Sequence, residues 1–291
     1  MTSIIIPAYN EGTTISRCLN SFLADAKVGE FKVIVVCNGC KDDTAERARE
    51  YEARGVTVIE TEIGSKILAL NLGDEAATSF PRIYLDADIT LTAKAIRDLA
   101  ELLADEANSD IVLAAPKAVV DYESRNPWVR AYYKVWTQLP YFTEGIIGSG
   151  VYAFSKKGRE RFGKFPDIIA DDEFARLQAL PHERTNTTSS TFTITPPASL
   201  RGIIHINTRA RAGLYELQEK FPELIASDNT SPTRTLKIIA TSPSMWIYAP
   251  IYLFAMVYAK LRAHEKLKNK KHGEWERDES SRTVVDSKES P

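Results

Sequence analysis

Ser3-Ile-Ile-Ile-Pro-Ala-Tyr-Asn-Glu11 is the stretch from which the rest of the chain can be read. The run Ser3–Pro7 is short, apolar and uninterrupted, the pattern of a strand buried on both faces. Such a strand needs helices on either side, and the chain up to Asp88 supplies them. Glu11–Ala26 carries Ile15, Leu19, Phe22 and Leu23 at helical spacing, with Asn10 as its cap. Phe31–Cys37 is a second β-branched run, and Asp43–Arg54 is a charged amphipathic helix ended by Gly55. Val56–Glu60, Lys66–Thr78 and Arg82–Asp86 read as strand, helix and strand. This alternation predicts βαβ units and an α/β fold, a single Rossmann-like, mostly parallel sheet with flanking helices. In such sheets ligands bind beyond the carboxyl ends of strands. Pro7–Glu11, Cys37–Asp43 and Asp86–Asp88 all fall there, before any motif is considered.

Further on, Thr92–Glu106 reads as a helix and Ile111–Lys117 as a strand. Pro127–Leu139 places Trp128, Tyr132 and Trp136 on one helical face, a stripe that suits a core. Glycine-rich Gly145–Gly150 precedes the apolar strand Val151–Phe154. Ile168–Asp172 leads into a helix over Glu173–Ala179. His182–Pro197, rich in Thr, Ser and Pro, reads as a loop or an irregular strand pair. Leu214–Ala226 closes the domain as its last helix. Ile238–Ala259 is then 22 residues without a charge, enough to cross a bilayer in length. Pro243 and Pro250 weaken that reading, and basic residues follow from Lys260 to Lys271. Apolar-then-basic is the order expected at a cytoplasmic membrane face. The competing reading is a helix packed on the domain, followed by a solvated tail. The expected division is 1–230 for a catalytic domain, 231–262 for an apolar C-terminal helical appendage, and 263–291 for a polar tail.

The composition is that of an ordinary globular chain. Of 291 residues, 44% are hydrophobic and 26% charged. Lys+Arg number 37 against 39 Asp+Glu, a net charge of −2 with no global attraction for nucleic acid. Cys18, Cys37 and Cys40 are too few for a disulfide framework, and the opening Met1–Pro7 shows neither a basic n-region nor a long apolar h-region, so a signal peptide is not expected. These features predict a cytoplasmic chain, with membrane association through 238–271 as a further expectation. Cys37-Asn38-Gly39-Cys40 spells CxxC, but Asn-Gly reads as a turn and no second ligand pair is visible.

Two acidic clusters carry the chemistry. Asp86-Ala87-Asp88 at a strand end suits a hard divalent cation such as Mg2+ or Mn2+, whose shell is oxygen and includes substrate phosphates. With sixteen Asp in 291 residues, about one such pair arises by chance, so its position is what raises it. Asp171-Asp172-Glu173 reads equally as a capped first helical turn or as a general base whose neighbouring carboxylates raise its pKa. Lys66, between Ser65 and an apolar helix, stands where a phosphate could be met. Arg209 and Arg211, between Asn207 and Gly213, suit bidentate phosphate contact but are as readily surface residues.

Four segments in this order are together specific: Ser3–Glu11, Val35-Val-Cys-Asn-Gly-Cys-Lys-Asp-Asp-Thr44, Gly64-Ser-Lys66 with Ala69-Leu-Asn-Leu-Gly73, and Tyr84-Leu-Asp-Ala-Asp88. They resemble the inverting family 2 glycosyltransferases of GT-A fold, strongly over about residues 2–90 and more weakly through Gly148–Phe154 and Ala170–Phe174. The resemblance implies a GT-A nucleotide-diphospho-sugar transferase of hexosyltransferase type that uses Mn2+ or Mg2+. It assigns Pro7, Ala8, Tyr9, Glu11 and Asn38 to the donor nucleotide, Lys66 to its side, and Asp86 and Asp88 to the DxD pair, with Asp86 near the ribose and Asp88 on the metal. Asp172 matches the catalytic base, with Asp171 in place of the usual Glu before it. Gly148, Ser149 and Gly150 match the acceptor-side loop. One departure stands out. The family's second strand commonly ends Asp-Asp-Gly-Ser, where this chain has Cys37-Asn38-Gly39-Cys40. That leaves UDP, GDP and dTDP donors open. The Gln-x-x-Arg-Trp signature of processive enzymes is also absent.

Other classes fit less well. No GxGxxG follows the first strand, as a nicotinamide dehydrogenase requires, and no GxxxxGK[ST] occurs, as a P-loop NTPase requires. A sugar nucleotidylyltransferase shares the sheet but not this first loop. A sugar-nucleotide binding module without catalysis is the alternative if Asp86, Asp88 and Asp172 do not converge. The expected partners are a nucleotide-diphosphate sugar and an acceptor, lipid-linked or glycan, and no nucleic acid.

Overall fold

The computed structural model describes residues 1–104, 110–143, 145, 147–226 and 232–268. Its elements run β1 (Thr2–Ala8), α1 (Ile15–Leu23), β2 (Phe31–Asn38), α2 (Thr44–Arg49), β3 (Val56–Thr61), α3 (Lys66–Ala76), β4 (Arg82–Leu85) and α4 (Ala93–Ala104). They continue as β5 (Leu113–Val120), α5 (Pro127–Trp136), α6 (Pro140–Thr143), β6 (Val151–Phe154), α7 (Lys156–Arg159), α8 (Asp171–Leu177) and β7 (Arg184–Ile194). The last are α9 (Leu200–Lys220), α10 (Pro222–Ala226), α11 (Pro232–Thr241), α12 (Pro243–Trp246) and α13 (Ala249–Lys268).

The apolar runs become a seven-stranded sheet in the order β3-β2-β1-β4-β6-β5-β7. β1 pairs in parallel with β2 and β4, and β2 with β3, while β6 runs antiparallel to β4 and β5. Ile4, Ile5 and Ile6 of β1 are fully buried, as expected of a central strand covered on both faces. α3 lies against β1 and β2, and Gly73 makes that approach close enough: a Cβ there would fall 2.4 Å from Ile5 Cγ2.

The chain divides into two compact units. The described residues of Met1–Val119, Ile146–Asp167 and Asp171–Thr193 form the first, which holds the sheet. Those of Val120–Gly145, Ile168–Ala170 and Ile194–Pro291 form the second. Its core gathers Val129, Tyr132, Val135, Leu139, Ile203, Tyr252 and Ala255, with α13 packed on α9 and α5. Residues 269–291 of the expected polar tail lie outside the described residues.

Several local expectations change. Asn10 does not cap α1, which begins after Thr14; it adopts φ 52 and accepts from Lys41 N at 2.8 Å, closing the loop across to β2. Residues 184–194 form one edge strand, because alternating Thr and Ser suit a strand with one solvated face. The helix expected from Leu214 already starts at Leu200, capped by Ser199. Of the aromatic stripe, Tyr132 is core while Trp128 is exposed. The stretch 238–259 is not one helix. It breaks at Ser242-Pro243 and restarts at Ala249, since Pro243 has no N–H to continue α11. Among the described residues no helix is long and apolar enough to cross a membrane.

Gly73→Val should cost about 1–3 kcal/mol of unfolding free energy by overpacking α3 against β1, read as a lower urea midpoint.

Candidate active site

β1 has β2 on one side and β4 on the other, so the strand order reverses between β1 and β4. The crevice beyond their carboxyl ends is the ligand position of open α/β sheets. Pro7 from the end of β1, Asp86 from the end of β4, Lys66, Gly150, Asp171 and Asp172 line one small pocket in the first unit.

Lys66 organises this pocket. Ser65 caps α3 by accepting from Leu68 N at 3.2 Å, which sets Lys66 at the first helical position. Its Nζ then lies 3.0 Å from Asp86 Oδ1 and 3.2 Å from Asp171 Oδ2. Burial alone would lower the lysine pKa, but Asp171, Asp86 and Asp172 hold it above the ordinary value.

The acids of the second cluster differ in surroundings. Asp171 is buried, and burial pushes its carboxyl up to about 6; Lys66 opposes the rise while Asp172 and Asp86 add to it. Asp172 is half-buried, and its Oδ1 accepts from Glu173 N at 2.8 Å. Glu173 is held by Arg176 at 2.6 Å. Asp172 thus accepts a backbone N–H in the first turn of α8 and is also the pocket carboxylate without an ion pair to Lys66.

The Gly148–Gly150 turn joins the two acidic clusters. Gly148, Ser149 and Gly150 take φ of 96, 55 and 106. A Cβ on Gly148 would sit 3.0 Å from Asp172 Oδ2, and one on Gly150 2.6 Å from Ile89 Cγ1. Gly150 O accepts from Asp86 N at 2.8 Å. Only glycine allows both the left-handed backbone and the close approach.

The expected donor loop is built from ties between β1 and β2. Asn38 is buried and its Nδ2 donates to Ala8 O at 2.9 Å. Glu11 is buried, with its N–H on Thr44 Oγ1 at 2.7 Å and its Oε2 accepting from Thr14 at 2.6 Å. Tyr9 lies against Gly64, whose Cβ would meet the ring at 3.3 Å. Cys37 and Cys40 are free thiols. The hydrogen bond from Cys37 draws Cys40 down to about 6, and Asn10 N–H, at 3.4 Å from that sulfur, acts in the same direction. Ala8, Glu11 and Asn38 therefore shape the loop from beneath, and Pro7 faces the pocket.

Asp88 is exposed beyond β4, and Arg17 donates to its carbonyl at 3.4 Å. Among the described residues no three His, Cys, Asp or Glu side chains converge as a metal site. Two carboxylates at a strand end fit Mg2+ or Mn2+ that takes its remaining oxygens from a diphosphate, and do not fit a metal held by protein alone. Arg209 and Arg211 lie not beside a loop but inside α9, in the second unit, where Gly213 permits close packing on Ala170.

Tyr152 was not singled out by sequence. Its hydroxyl is buried without a hydrogen-bond partner and its ring stacks on Tyr84 at 5.0 Å. Burial, then the charges of Asp171, Tyr84, Asp172 and Asp86, keep the phenol protonated. The only available signal was a polar atom in a strand otherwise apolar, two residues past the glycine turn.

The profile described as glycosyl transferase family 2 matches residues 3–162. Over 90 residues the chain is 34% identical to glycosyltransferase AglE of Haloferax volcanii, a match covering 30% of each protein. The chain spans under a third of the length of the curated relatives it matches. Its fold is similar to mannosyltransferase PcManGT of Pyrobaculum calidifontis, solved with GDP-Man and Mn2+ (TM-score 0.59, 21% identity, 92% of this chain, 75% of the other). Glucosyl-3-phosphoglycerate synthase of Mycobacterium tuberculosis, solved with Mn2+, UDP-glucose and phosphoglyceric acid, gives 0.51 at 20% identity, covering 75% and 79%. The fold is therefore of GT-A type.

Asp171 should titrate with a midpoint of about 6 by carboxyl NMR, and the signal should vanish in Asp171→Asn. A carboxyl whose pKa rises on folding contributes most below its unfolded pKa, and loses that contribution as pH climbs through the folded one. Stability of the wild type relative to Asp171→Asn should therefore fall between pH 4 and pH 7, by at most about 3 kcal/mol, measured by denaturant unfolding at each pH.

Proposed function

The chain belongs to glycosyl transferase family 2, and from that premise we propose that it transfers a sugar from a nucleoside diphosphate donor to an acceptor hydroxyl with inversion. The observation that carries the reading is the pairing, around one pocket, of a carboxylate tied to Lys66 with one that is not: Asp86 and Asp172. The sugar nucleotides bound by PcManGT and by the mycobacterial synthase support the donor class.

In this reading the donor lies across the ends of β1 and β4. Asp88, helped by Asp86, would hold Mn2+ or Mg2+, whose chemistry is to offset charge that builds on the leaving diphosphate. Lys66 places a fixed positive charge on the same side. Asp172 accepts the proton of the acceptor hydroxyl as that oxygen bonds to the anomeric carbon. The bond from that carbon to the phosphate oxygen breaks, and its electron pair leaves with the diphosphate. The Gly148–Gly150 turn keeps Asp172 free of side-chain obstruction, which fits a place for the acceptor. Tyr152 offers a buried O–H donor to a ligand oxygen in the pocket.

A panel of nucleoside diphosphate sugars with Mn2+, scored by nucleotide release, tests the proposal. For the sugar that is turned over, Asp172→Asn should lower kcat by about 10²–10⁴-fold while donor affinity changes little. Near-wild-type turnover by that variant with a true acceptor would remove Asp172 from the role of base. Asp88→Asn should instead abolish the Mn2+-dependent part of donor binding in calorimetry.

A further inference from the structure

α13 is apolar on two opposite faces. Its inner face, Tyr252, Ala255, Ala259 and Ala263, is buried against the second unit's core. Its outer face carries Leu253, Phe254, Val257, Tyr258 and Leu261, one stripe at helical spacing. Phe254, Val257 and Leu261 are 57%, 58% and 65% exposed, and Ile247 in the turn before the helix is 76% exposed. The inner face already seats the helix, so the stripe is not needed to fold it. Large contiguous apolar surface of this kind marks a binding face rather than an ordinary exterior.

Charge narrows the occupant. Residues 232–268 hold six Lys and Arg against Glu265 alone, in a chain whose net charge is −2. Lys237 and Lys260 are exposed, and Lys260 borders the stripe. Exposed Trp246 is anchored, its Nε1 donating to Ile239 O and Ala240 O at 3.2 Å, with its ring left outside. A second copy docked face to face would oppose like charges at the same place. An anionic lipid surface satisfies both the apolar stripe and its basic border. The break at Ser242-Pro243 and the charges from Lys260 exclude a crossing. We propose that the outer face of α13, with the Trp246-Ile247 turn, seats the second unit in the interfacial plane of an anionic phospholipid bilayer. This inference does not depend on the proposed glycosyl transfer.

The test is flotation of the full chain with phosphatidylcholine vesicles, with and without phosphatidylglycerol. Binding should require the anionic lipid and fade at high salt. Phe254→Ser with Leu261→Ser should weaken it by about tenfold or more. Lys237→Glu with Lys260→Glu should remove the preference for anionic vesicles. All four residues are exposed, so unchanged thermal melting separates lost binding from lost folding. No flotation with anionic vesicles, or binding by the serine variant equal to wild type, would overturn the proposal. So would a concentration-dependent dimer that the serine variant dissolves and that binds no vesicles.

Discussion

One ammonium group stands among three carboxylates in this pocket. Lys66 Nζ reaches Asp86 and Asp171 together and feels Asp172 beyond them. Without it, carboxylates from β4 and α8 would repel across a partly dry space, at a cost that rises as the dielectric falls. The positive charge lets the end of β4 and the start of α8 approach. The cap at Ser65, the position of α3 and the close approach at Gly73 all serve to put it there.

That arrangement also sorts the acids. Asp171 takes the buried place and the ion pair with Lys66, so its proton affinity reflects the protein interior. Asp172, one residue on, keeps partial exposure and lies beside a turn with no side chain at Gly148. Successive residues at a helix start point in different directions, and this is how two adjacent aspartates acquire unlike surroundings. Tyr152 adds a neutral donor to the same space, held in place by stacking on Tyr84. The pocket thus combines a fixed cation, a buried acid, a half-buried carboxylate and an unpaired hydroxyl.

The legible parts of this protein were those governed by local pattern. Apolar runs marked the buried strands, and their carboxyl ends marked Pro7 and Asp86 correctly as neighbours in space. The order of four motifs matched a family that the profile comparison bears out. Where competing local signals balanced, sequence reading was less decisive. Asp171-Asp172-Glu173 suited both a cap and a base, and the fold gives the two aspartates unlike burial. His182–Pro197, rich in Thr, Ser and Pro, suited a loop or an irregular strand pair, and the adjacent sheet edge draws Arg184–Ile194 into the single strand β7. Asn10 resembled a helix cap because its hydrogen bond to Lys41 comes from a segment distant in sequence. The uncharged run 238–259 had the length of a span, and its prolines divided it.

By itself the sequence determined the alternation of buried strands and helices, the family, and the residue types available to a site, because periodicity and short motifs are local properties. Only the tertiary structure decided which acid pairs with Lys66, which is left open, that Tyr152 faces them, and that α13 carries an apolar face with nothing from the described chain upon it. Those outcomes depend on contacts between residues far apart in the chain and on the water excluded around them, and neither is written in any local pattern.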